Sequence, residues 1–182
     1  MQTVFIVLGC IAGFVVLVVG GLYVAGRRGN GAAHETSVEI ATTAARVWPF
    51  LIEPDRVKQW VGGLETVESL TPEKGVEVGA RDRLVVRVNG EAHELFAELT
   101  HVEEGVSIAQ HLTQSGPMAW HEDARFTIVP VDEQRVRFVV NASYTYTTLL
   151  GTILEPLIRI AATKKLNEDL AKLKALAEES RS

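Results

Sequence analysis

Cysteine is almost missing from this chain: Cys10 is the only one among 182 residues. An intramolecular disulfide is excluded, and with it a disulfide scaffold or dithiol redox chemistry, in agreement with a reducing compartment. Long basic runs are missing as well. The formal net charge is −5, and no charged residue precedes Arg27, so everything beyond the Arg27-Arg28 pair is net acidic. Such a surface offers little for phosphates to bind and excludes nucleic acid as an expected partner. It should also be mildly repelled by an anionic lipid surface. Metal-ligand spacing is absent too. His34, His93, His101, His111 and His121 form no paired ligand pattern, although His111 and His121 share an outward parity and are candidate neighbours across a hairpin. The sequence contains no glycine-rich phosphate loop, no nucleophile elbow, no Ser-His-Asp order and no repeat, so no metal and no cofactor enter this reading.

What the chain does have is one long apolar run. Thr3 to Gly26 reads TVFIVLGCIAGFVVLVVGGLYVAG without a charge, which helps set the mean hydropathy at +0.13. As a helix it extends roughly 36 Å, enough to cross a hydrocarbon core of about 30 Å. Tyr23 stands where an interfacial aromatic is expected, and Arg27-Arg28 follow at once. A cleaved signal peptide would need a basic residue before the run, and none is there. The expectation is a single-pass anchor over 1–28, with the arginine pair and the following domain on the cytoplasmic side. Gly9 and Gly13 make a small-xxx-small pattern within it. A short linker over 29–34 and a domain over 35–180 complete the expected organisation.

Within the domain, Glu35 to Ile40 alternates as a first strand, with Thr36, Val38 and Ile40 on one face. Thr42 or Thr43 can cap a short helix carrying Ala44, Val47, Trp48 and Leu51, and Pro54 opens a second that ends at Gly62-Gly63. A meander follows: strands over 64–70, 81–88, 91–102, 106–113, 118–129 and 135–146, joined by short turns. Asn89-Gly90 is a type I′ hairpin signal among those turns. Short connections make the order antiparallel. Thr148 to Glu179 then reads as one long helix interrupted by Pro156. Leu150, Ile153, Leu154, Leu157 and Ala161 form its first apolar stripe, and Leu166, Leu170, Leu173 and Leu176 continue it; the concave face of the sheet is the surface they should cover.

The block Ala44-Ala45-Arg46-Val47-Trp48-Pro49-Phe50-Leu51 with Pro54 and Trp60, the Gly75-Val76-Glu77-Val78-Gly79 stretch and the terminal helix resemble the START-like superfamily. This group is also called SRPBCC, or polyketide cyclase/dehydrase and lipid-transport proteins. The resemblance spans roughly residues 35 to 178. It implies an α+β helix-grip fold, a seven-stranded antiparallel sheet wrapped around the C-terminal helix, with a cavity for a hydrophobic molecule between them. It carries no catalytic residue over, because the superfamily shares no catalytic motif. Strand parity then names the side chains facing such a cavity. Candidate ligand contacts are Trp120, Glu122, Phe126, Phe138, Tyr144, Tyr146, Gln110, His93 and Leu154, with Asp82 a further polar interruption of the lining. The expected function is membrane-tethered binding or transport of a lipid, an isoprenoid or quinone, or a polyketide-like molecule. Two alternatives stand beside it: a cyclase or dehydratase using Glu122, His93 or a pocket tyrosine, and a protein-interaction module whose cavity is collapsed.

Overall fold

The computed structural model describes residues 2–179, with side chains described from Phe14 onward. Helix α1 (Gln2–Gly29) leads into strand β1 (Ala33–Ile40), then three short helices, α2 (Ala44–Val47), α3 (Pro49–Ile52) and α4 (Pro54–Trp60). Six strands follow: β2 (Leu64–Ser69), β3 (Arg81–Val88), β4 (Glu91–Glu103), β5 (Ser107–Gln114), β6 (Trp120–Asp132) and β7 (Arg135–Tyr146). Helix α5 (Leu149–Glu179) closes the chain and runs through Pro156. All seven strands form one sheet in the order β1-β7-β6-β5-β4-β3-β2, and every neighbouring pair is antiparallel. The β3–β4 turn places Asn89 and Gly90 at φ 51° and 88°, the left-handed pair that a type I′ hairpin demands. Thr43 occupies the N-cap position of α2 with extended backbone but makes no side-chain capping bond.

The core lies where the three short helices and the last turns of α5 meet one end of the sheet. Ile40, Val47, Ile128, Phe138 and Leu173 are its most completely buried large side chains. Phe138 stacks on Phe126 and meets Trp60 edge-on, while the Trp60 indole donates to the Phe50 carbonyl at 2.8 Å, satisfying its one polar atom. Three polar contacts fix α5 to this end. Buried Asp169 accepts from the Gly62 backbone N–H at 3.0 Å, Glu178 accepts from the Ala41 N–H at 2.7 Å, and Lys174 donates to the Glu39 carbonyl at 2.7 Å.

The other end of α5 departs from the sequence expectation. Its buried residues there are Gly151, Thr152 and Glu155, whereas Leu150, Leu157 and Ala161 of the expected inward stripe are exposed. The cause is α1, which packs on this end. A side chain at Gly26 would run into the Thr152 carbonyl, and one at Gly29 would meet the Glu155 carboxylate at 2.7 Å. The stretch 29–34 holds the end of α1, three connecting residues and the start of β1. The Asn30 side chain pairs there with both backbone groups of Tyr146, at 3.0 and 2.6 Å, in place of a strand neighbour. Among the described residues no helix is long and apolar enough to cross a membrane. The first part of the expected span, 3–13, including Gly9, Cys10 and Gly13, has side chains outside the described set.

Candidate functional site

Pairing register sorts the concave face into ranks, because directly opposed residues share a face. One rank runs Asp82, Ala97, Leu112, Glu122, Tyr144 from β3 to β7. The next runs Leu99, Gln110, Ala124, Ala142, His34 from β4 to β1. Ile108, Phe126, Val140 and Thr36 share a third, on the core side. Ala97, Ala124 and Ala142 are buried and make a low floor, flanked by the partly buried Leu84, Leu95, Trp120, Phe126 and Tyr144.

Helix α5 is held at its two ends. It is buried at Gly151, Thr152 and Glu155, and again from Asp169 onward. Between those ends no residue of the helix is buried; Ile158, Ala162 and Leu166, on its inward side, are only half-buried. The concave face between the two anchored ends of α5 is the candidate site. Its walls are aliphatic and aromatic, with few polar groups, the usual composition of a site for an apolar molecule.

The polar groups converge at one place. Tyr144 donates its hydroxyl proton to the Glu122 carboxylate, the His34 ring stacks on Tyr144 at 5.5 Å, and Trp120 meets Tyr144 edge-on at 6.0 Å. The Trp120 indole donates to Gln114 Oε1 at 2.8 Å, which fixes the ring's tilt. The Glu122 carboxyl is raised from 4.5 to about 7, chiefly by burial; the Tyr144 hydrogen bond opposes the rise and the nearby Asp123 charge adds a smaller push. Burial and the Glu122 charge push the Tyr144 phenol far up, so it remains protonated. Tyr146 is pushed up to about 12, first by burial and then by Glu155 and Glu122. A carboxyl titrating near neutrality beside a phenol that stays protonated can accept, hold or return one proton.

Most of the expected contacts lie together. Gln110, Trp120, Glu122, Phe126 and Tyr144 share the concave face, and Leu154 is half-buried on α5. Three do not fit as expected. Phe138 is fully buried within the core and lines nothing open. Tyr146 is buried where β7 ends beneath Gly151, its ring so close that a side chain at Gly151 would meet it at 2.6 Å. His93 faces Val86 on β3, four residues along β4 from Ala97, roughly 13 Å from the Glu122 rank at strand spacing. Asp82 is on the right face but three strands from Glu122; burial raises its carboxyl and a Ser69 hydrogen bond opposes this. His34 and Gln114 belong to the cluster and were not expected there. His34 shares the parity of Thr36 and Val38, and a strand begun two residues earlier would have found it. His111 and His121 do meet, at 5.6 Å on the outer face, where His111 pairs with Asp123 at 2.7 Å. Among the described residues no three potential ligands gather in a way that could hold a metal.

This arrangement, a meander gripping a long helix over an apolar groove, can be compared with known proteins. The family model described as polyketide cyclase / dehydrase and lipid transport matches residues 32–178. The chain belongs to that family. Solved structures with the same fold include a conserved protein from Geobacillus kaustophilus, with TM-score 0.69, 14% identity, and coverage of 82% of this chain and 97% of that one. The Zhui aromatase/cyclase from Streptomyces sp. R1128 gives 0.66 at 19% identity, covering 83% and 96%. A START superfamily protein from Mycobacterium smegmatis gives 0.62 at 18%, covering 81% and 97%. No curated protein matches significantly in sequence. At these identities the structural likenesses establish the helix-grip fold of this family member and no more.

Proposed function

We propose that this family member binds a hydrophobic small molecule (a lipid, an isoprenoid or quinone, or a polyketide-like compound) in the groove beneath α5. We further propose that α1 holds it at a membrane, with the domain on the cytoplasmic side. The observation that carries the binding reading is the apolar concave face, where Leu112, Trp120, Phe126 and Tyr144 surround the small side chains of Ala97, Ala124 and Ala142, together with a helix α5 whose middle is only half-buried. Glu122 and Tyr144 give the groove one polar end, which suits a guest with a single carbonyl or hydroxyl on an apolar body. The membrane reading is supported by the uncharged run up to Gly26 and by the Arg27-Arg28 pair that follows it. Organic extraction of the purified full-length chain, followed by mass spectrometry, tests the binding. An apolar compound enriched over a detergent blank is expected, and repeated preparations with none would overturn it.

A second reading has one observation of its own. A carboxyl at about 7 is well placed to remove a proton next to a ketone, the kind of step a cyclase or dehydratase needs, and Tyr144 can donate to the developing oxyanion. Glu122→Gln separates the two. Retained binding with lost turnover selects the enzyme; weakened binding, with no turnover by either protein, selects the carrier.

A further inference from the structure

The concave face carries a second polar pole, three strands away from Glu122. Register extends the Glu122 rank by one strand, because Ser69 on β2 lies directly opposite Asp82 on β3. The rank then reads Ser69, Asp82, Ala97, Leu112, Glu122, Tyr144. At each end a carboxyl meets a hydroxyl of the neighbouring strand: Ser69 donates to Asp82, and Tyr144 donates to Glu122. Between the two pairs stand only Ala97 and Leu112, both buried and apolar.

Acidic groups on the opposite face of these strands are handled differently. There Arg83 takes Glu68 and Glu94, and Arg87 takes Glu65. Asp82 and Glu122 make no ion pair among the described residues, and burial raises both carboxyls. A carboxyl held by one hydroxyl keeps acceptor capacity for a second partner, and once protonated it can donate as well. The face around the two pairs is accessible. Asp82, Leu84, Trp120, Glu122 and Phe126 are half-buried although they point to the side of the sheet that α5 covers. Helix α5 makes its main strand contacts on β1 and β7, at the other side of the sheet from β3.

We infer that Asp82 and Ser69 form a second polar contact for the guest, so that the site takes an elongated apolar molecule with a hydrogen-bonding oxygen at each end. One end meets Glu122 and Tyr144, the other Asp82 and Ser69, and the body lies over Ala97 and Leu112. This rests on the binding reading above and narrows it, since a guest with one polar group leaves one of the two pairs unmatched. Three inter-strand steps separate β3 from β6, roughly 14 Å along the sheet. That span sets a preferred guest length: a shorter molecule reaches one pair only, and a longer one must buckle. A second hydroxyl left without a partner in an apolar site weakens binding, so a two-ended guest gains only where both ends are met.

Equilibrium dialysis of the full-length chain in phosphatidylcholine nanodiscs, corrected with empty nanodiscs, tests this. The probes are the alkan-1-ols from hexanol to dodecanol and the α,ω-diols of the same chain lengths. At an intermediate length the diol is expected to bind several-fold tighter than its alkanol, and Asp82→Ala to bring that diol down to the alkanol's affinity. Asp82→Asn, which keeps an acceptor oxygen, should retain part of the advantage. Diols bound no tighter than alkanols by the wild type would overturn the second contact and leave the apolar site standing. So would an Asp82→Ala chain that loses affinity for both series by the same factor, which would make Asp82 a structural residue of the rim. If neither series binds above empty nanodiscs, the binding reading falls with it.

Discussion

Glu122 holds a proton in the folded chain over a range where the unfolded chain has released it. Its carboxyl titrates near 7 in the fold against 4.5 otherwise, because the groove disfavours the charged form. From pH 4.5 to about 7 the folded state therefore binds more protons than the unfolded state, and rising pH costs stability. That contribution is fully present below 4.5 and lost once pH passes about 7. Its size is about 1–3 kcal/mol, allowing for solvent that reaches the groove. Thermal unfolding followed from pH 5 to pH 8 should show this decline in the wild type and a flatter profile in Glu122→Gln. Tyr144→Phe removes the hydrogen bond that favours the carboxylate, so carbon-13 titration of Glu122 should move to still higher pH. Both residues were legible from strand parity alone, since alternation fixes a face even when the packing partner is unknown. His34 was not legible, because its strand starts in a segment whose glycines and alanines resemble a linker. Phe138 was misassigned for the opposite reason: parity gives the face, not whether the space above it is already filled by Trp60 and Phe126.

At the level of elements, strands and turns followed from local chemistry: alternation, the Asn89-Gly90 turn and short connections left one antiparallel order. Helix α5 is where that logic stopped. Its apolar first half was assigned to the sheet because every other surface was taken to be water; α1 removes that premise. Glycine at 26 is what lets the two helices touch. Gly26→Leu should separate them and increase protease cleavage across residues 30–32, with unfolding of the sheet domain little changed. The opposite end of α5 depends on a buried acceptor. Asp169→Ala leaves the Gly62 N–H without its partner and should cost about 1–3 kcal/mol in chemical denaturation. Asp169→Asn retains an acceptor oxygen and should cost less.

The molecule as a whole is a grip anchored at both ends of one helix, whose middle is only half-buried. Small side chains at 97, 124 and 142 keep the concave face of the sheet low, and the proposed binding site depends on them. Native mass spectrometry of the full-length chain released from detergent, compared with an Ala124→Trp variant, measures the consequence directly. The account predicts one apolar molecule per wild-type chain and none on a folded Ala124→Trp chain whose floor is raised into the groove. Equal loading of both proteins, or no adduct on either after incubation with a membrane lipid extract, would contradict it.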